Sequence, residues 1–386
     1  MRRRAGEALG TALAIACCAA VPGSASAEDK PEAPPTGVPS PSIATSLPPM
    51  LADPGGLRAA LAAKGVTFQI NYIGEVLSNA SGGMRKGTIY DGRLELVIDA
   101  DLEKLLGWSG AAIHANGYDI HGRSMSADNI GNFLFASNIE AVASPRLYEA
   151  WFEQKFADGK VGLRFGQLAA DTEFLTSTYA ALFINSTFGW PDSLAVNLPS
   201  GGPAYPLATP GIRVKYDPGP QYSLLLGIFN GDPAGPGFGN PQDRDLYGVN
   251  FRLQDPPFVI AEGQYRYNQD GNGGLPGTVK LGAWGHFGQF DDLGLSTNGF
   301  SLADPRSNGM PLLYRGDYGV YGVLNQQVYR LPGDDPTKGV GIFTRVMASP
   351  SDRNLADVYV DGGVNFSGLI AARPDDSFGV AAAFLH

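Results

Sequence analysis

Charged and hydrogen-bonding side chains recur at every second position through much of this sequence, and their types set the chemistry available to the chain. Arg93 with Glu95, Glu149 with Trp151, and Arg213 with Lys215 each stand two residues apart; Arg164 and Arg266 sit in stretches of the same kind. Residues two apart on an extended strand share one face. Such a face sets guanidinium groups, carboxylates and aromatic rings side by side. Arginine and carboxylate bond neighbouring hydroxyls in pairs, and indole or phenol rings stack on ring C–H surfaces, so the set suits polyhydroxyl ligands. The plainer reading is that these groups stay hydrated or pair with one another.

Catalytic chemistry finds little support. The histidines are four (114, 121, 286 and 386), and no Gly-x-Ser-x-Gly element accompanies them. A Ser-His-carboxylate constellation therefore has no local pattern to mark it. Glu149 and Glu153 point the same way on one strand and could be imagined as a glycosidase pair, yet solvated charge explains them better. The loop Asn268-Gln269-Asp270-Gly271-Asn272-Gly273 resembles a calcium loop weakly and lacks its closing Glu, so a turn is expected. Both cysteines, Cys17 and Cys18, fall in the first 27 residues. From Glu28 onward there is no thiol for a disulfide, a zinc site or a nucleophile. No cofactor, no metal and no enzyme are expected.

The elements that must position these side chains follow from the start of the chain. Arg2, Arg3 and Arg4, the apolar run Leu9 to Val21, and Ala25-Ser26-Ala27 read as an export signal over 1–27, cleaved on secretion. Residues 28–54 are Pro-rich and are expected to form an extended periplasmic arm. A short helix over 55–65 should follow, with Asp53 as cap, Pro54 at its first position and Gly65 as its stop. From Val66 the apolar period becomes two. Val66–Tyr72, Arg93–Asp99, Val161–Phe165, Gly211–Tyr216, Tyr247–Gln254, Val259–Asn268, Val279–Phe287 and Val340–Val346 all alternate, among about fourteen such segments. Short gaps such as 157–160 and 217–220 interleave with long ones such as 121–145, 171–210, 230–244 and 291–316.

Two architectures fit this alternation: a solvated sheet over a dry core, or a barrel with lipid outside and water inside. The polar faces carry more charge than a dry core can hold, since each unpaired charge costs several kcal/mol to bury. Strand length, alternating loop length and Tyr and Trp near strand ends favour an all-β transmembrane antiparallel barrel over 66–386. The alternative is a soluble periplasmic all-β protein that binds sugars or serves as a scaffold. It would show an apolar core and no outward belt. Formal charge is −10; residues 1–27 hold three Arg and one Glu, so the chain from Glu28 stands at −12. With no basic run, nucleic acid is not an expected partner.

One long segment is distinctive: Phe188-Gly189-Trp190-Pro191, then Leu198-Pro199-Ser200-Gly201-Gly202-Pro203-Ala204-Tyr205-Pro206. With Asp101–Trp108, Arg146–Gln154, Phe165–Asp171, Phe229–Gly235 and Gly274–Thr278 in the same order, the chain resembles the carbohydrate-selective porin (OprB) family over roughly 55–386. The resemblance implies a sixteen-stranded outer-membrane barrel passing small sugars such as glucose by facilitated diffusion. It implies a loop near 172–209 folded inward as a constriction, with Asn185, Trp190 and Tyr205 as its best-placed hydrogen-bonding and stacking residues. Arg93, Glu95, Glu149, Trp151, Arg164, Arg213, Lys215 and Arg266 would line the channel. Partners implied are sugars, outer-membrane lipid and the barrel-assembly machinery; homo-oligomerisation is left open. Against sixteen strands the sequence offers about fourteen and stops at Phe384-Leu385-His386 in mid-strand, which reads as C-terminal truncation.

Overall fold

A computed structural model describes residues 42–269, 273–333 and 335–386; the expected signal and most of the Pro-rich arm lie outside them. Thirteen antiparallel strands form one sheet in strict sequence order, so each pairs with its chain neighbours and no crossover occurs. They are β1 (Val66–Asn79), β2 (Gly87–Asp101), β3 (Ala111–Gly122), β4 (Ser144–Phe156), β5 (Val161–Leu168), β6 (Thr209–Gly219) and β7 (Tyr222–Asn230). The series continues with β8 (Pro257–Tyr267), β9 (Gly277–Ser296), β10 (Pro311–Arg330), β11 (Gly339–Ala348), β12 (Val358–Ser367) and β13 (Ser377–Leu385).

The pleat sorts the sequence as its period predicts. On β7, Tyr222, Leu224, Leu226 and Ile228 are exposed while Ser223, Leu225 and Phe229 are buried. Register carries that exposed row sideways: Ile228 faces Ile212, Leu226 faces Val214, and Leu224 faces Tyr216. Ile70, Leu96 and Ile98 extend the same kind of surface on β1 and β2. The opposite face carries the charges, with Arg213, Glu262, Asp317, Arg345 and Asp361 all buried beside apolar residues such as Phe258 and Ile260. A soluble sheet would bury its apolar face and expose its charges; this one does the reverse, as lipid outside and a polar lumen require. No helix among the described residues is long and apolar enough to cross a membrane.

Loop length alternates between the two ends. The loops 123–143, 169–208, 231–256 and 297–310 share one end; 157–160 and 220–221 belong to the other. Near the start of the sheet, a helix over Leu57–Ala63 packs at the foot of β1. Asp53 caps it as the sequence suggests, accepting from the Arg58 N–H at 2.7 Å and the Ala59 N–H at 3.2 Å. Gly55 and Gly56 take positive φ, which delays the regular helix to Leu57. Residues 43–46 and 49–52 form short helical turns rather than extended chain.

Two expectations change. The described strands number thirteen, against the roughly fourteen segments read from the sequence. Tyr247–Gln254, read as one of them, is not a strand. Its alternation is real, since Tyr247, Val249, Phe251 and Leu253 are all exposed. The segment lies against β4, which β5 pairs only as far up as Ala150. There the Leu147 N–H donates to the Tyr247 carbonyl (3.0 Å), and the Gln167 amide to the Gly248 carbonyl (2.8 Å). Asp245 turns the segment by accepting from the N–H groups of Val249 and Asn250. It patches the wall and shows its apolar side outward without building a ladder.

Candidate functional site

The loop 169–208 runs inward and packs on the inner faces of β7–β12. Its Phe174, Leu175, Leu194 and Leu198 join Phe229, Phe258, Ile260, Trp284, Tyr321, Met347 and Tyr359 in one apolar cluster. Polar anchors fix its path. Arg345, fully buried, donates to the carbonyls of Thr187 (2.7 Å) and Gly189 (2.9 Å) while paired with buried Asp361. Glu262 accepts from the Leu175 N–H at 2.8 Å and from the Tyr321 hydroxyl at 2.9 Å. Lys280 donates to the Thr176 hydroxyl at 2.7 Å.

On the long-loop side, this loop and the inner faces of β2–β4 enclose a cavity of about 510 Å³. Tyr205 stands edge-on to Tyr118 and Tyr148, at 5.6 and 6.0 Å between ring centres. The Arg93 guanidinium lies over Tyr118 (4.6 Å) and Tyr205 (5.3 Å), and its buried Nε has no partner. Asp171 locks the cluster, accepting from the Tyr148 hydroxyl (2.7 Å) and the Tyr205 N–H (2.9 Å). The Tyr205 hydroxyl donates to the Ile139 carbonyl, which ties the loop 123–143 to the same point. Burial raises the Asp171 carboxyl above the usual carboxylate range and pushes Asp192, on the same cavity, up to about 7. Trp190 lines this cavity with its indole N–H given to the Gly201 carbonyl at 3.2 Å. A spare guanidinium N–H beside several ring faces can bond a hydroxyl while a ring supports the ligand's C–H surface.

A second group crosses β3–β6. Arg213, 2% exposed in its side chain, donates to Glu173 at 2.6 Å and Glu153 at 2.8 Å. Arg164 approaches the same two carboxylates at 3.6 and 3.7 Å and lies 3.6 Å above the Trp151 ring. His114 stacks on Trp151 with centres 4.7 Å apart and bonds Asp99 at 2.7 Å. Two guanidinium groups thus share two carboxylates, and the Arg164 Nε and Trp151 Nε1 stay unpaired.

The expected residues therefore separate. Arg93, Trp190 and Tyr205 meet in the cavity, and Trp151, Arg164 and Arg213 meet in the charged group. Glu95 accepts from the amides of Asn71 (3.2 Å) and Asn116 (3.4 Å), and Glu149 from the Ala169 N–H (3.0 Å). Asn185 caps the turn at Thr187 and donates to the Leu134 carbonyl. Lys215 pairs with Asp217, and Arg266 bonds Pro220 and Ser223; both sit at the short turn 220–221, apart from either group. Sequence reading passed over Tyr118, Tyr148, Asp171 and Glu173. Tyr118 could have been found by carrying the parity of His114 and Asn116 two residues further; Asp171 and Glu173 lie in a loop with no period to expose them.

An antiparallel wall apolar outside and charged inside, with a long loop drawn into its lumen, defines a porin. The chain belongs to the carbohydrate-selective porin, OprB family, whose sequence model matches residues 85–386. It is similar to Porin B of Pseudomonas aeruginosa, with 27% identity over 356 residues covering 87% of this chain and 73% of that protein. Among solved structures it resembles OprB of Pseudomonas putida at high pH: 26% identity, TM-score 0.76, 87% of this chain and 79% of that one. The low-pH structure of the same protein shares the fold at 21% identity and TM-score 0.51, covering 86% and 82%.

Proposed function

We propose that this chain is a passive outer-membrane pore for small neutral carbohydrates, glucose among them. The observation that carries the reading is the cavity in which Arg93, with an unpaired Nε, faces Tyr118 and Tyr205 beside Trp190. Sugar entering from the long-loop side exchanges part of its water for these groups, then passes the Arg164–Trp151 rung. Weak binding at several places speeds passage, whereas tight binding would hold the sugar in the pore. Membership of a carbohydrate-selective family and the likeness to Porin B support the same reading. It carries its partners with it: lipid on the outward belt, the barrel-assembly machinery during insertion, and export through a cleaved N-terminal signal.

Liposome swelling tests it. Proteoliposomes should admit glucose faster than disaccharides and faster than charged solutes of equal size. Equal entry of charged and neutral solutes, or none of either, would contradict the proposal.

A further inference from the structure

We infer that the lumen holds a second carbohydrate subsite at the short-turn end, on the far side of the inward loop from Arg93; this rests on the pore reading above. A cavity of about 690 Å³ lies there, between the loop residues Thr178–Leu182 and the short-turn ends of β9–β13. Its lining differs in kind from that of the first cavity. Thr278, Asn325, Gln327, Asn365 and Ser367 present amides and hydroxyls, and no carboxylate lines it among the described residues. Among the described residues Arg330 is its one charged lining group, and it hydrogen-bonds Gln327 and the Gly274 carbonyl.

Two observations point to a ligand. Asn365 is 9% exposed; its amide N–H donates to the Tyr179 carbonyl at 2.7 Å, and its Oδ1 is buried without a partner. An acceptor left in that state can take an O–H from a bound molecule. Tyr179 itself is half-buried on the cavity, and its ring occupies the room that a side chain at Gly341 would need, since a Cβ there would lie 2.2 Å from it. A phenol ring seated on a bare stretch of wall, beside neutral donors and acceptors and with the Arg330 guanidinium held by Gln327 and Gly274, suits a neutral polyol.

Single-channel current, with glucose added to one side at a time, separates the two subsites. In the wild type, glucose should interrupt the current from either side. Arg93→Ala should weaken the effect from one side, and Tyr179→Leu should weaken it by about three- to tenfold from the other only. The double substitution Thr278→Ala with Ser367→Ala leaves the loop untouched and should act on the same side as Tyr179→Leu, whether or not that variant inserts. If neither short-turn variant changes glucose sensitivity while Arg93→Ala still does, the second subsite is overturned and the pore reading stands. A wild-type channel that conducts but ignores glucose from both sides overturns both.

Discussion

Arg164 lies between two carboxylates and over an indole ring, so its removal leaves Glu153 and Glu173 sharing Arg213 alone. The Arg164→Ala lumen then carries one uncompensated negative charge. At the effective dielectric of a partly hydrated site this shifts ion preference by about 1 kcal/mol, roughly fivefold toward cations. Reversal potentials in a salt gradient should show that shift, with sugar saturation altered and the urea unfolding midpoint nearly unchanged; an unaltered reversal potential would remove Arg164 from the conducting path. Asp192 gives a pH dependence. Its buried carboxyl titrates at about 7, whereas a solvated aspartate titrates near about 4. The raised value means that loop packing is fully stabilised below about pH 4 and loses stability as pH rises through about 7, because the loosened state ionises first. Protection factors of residues 186–197, with the intrinsic rise of amide exchange with pH divided out, should therefore fall across that window in the wild type and stay flat in Asp192→Asn. A wild-type profile without slope would contradict the assignment.

At the scale of elements, legibility followed hydration. β1, β2, β6 and β9 were readable because lipid and water sit on opposite faces of each strand, which prints period two into the sequence. The same two solvents act on any extended segment lying in the wall, so Tyr247–Gln254 carries the pattern without the pairing. The interior site was half readable. Arg93, Trp151, Arg164 and Arg213 stand out by charge and parity, but Lys215 and Arg266 share that parity and end up at a turn, because the pattern gives the face and not the height. Asp171 and Glu173 act through the path of a loop, which tertiary anchors such as Arg345 decide. Gly248 tests the patched wall. It sits at φ +65°, and a Cβ there would lie 1.9 Å from the Leu147 carbonyl oxygen. Gly248→Val should cost about 1–3 kcal/mol and lift the segment from β4. Proteolysis within 231–256 in outer-membrane preparations should accelerate; cleavage at the wild-type rate would mean that the segment is held elsewhere.

For the whole molecule, the inverted distribution of charge and apolar surface is the deciding property. Leu226 lies at the middle of β7 and faces outward, 42% exposed. In a soluble protein, an arginine there would cost almost nothing. In a bilayer it should lower folding stability by about 2–4 kcal/mol, so urea titrations of Leu226→Arg folded into lipid vesicles distinguish the two environments. A stability equal to the wild type's would place this face in water. In the function proposed above, the lumen conducts and sugar occupies it on the way through. Current through single channels in a planar bilayer, before and after glucose, tests this most directly. Discrete conductance steps should appear, shrink or flicker as glucose is added, and recover when it is washed out. Steps indifferent to glucose would deny the sugar-binding lumen, and protein that stays monodisperse without detergent and never conducts would contradict the pore itself.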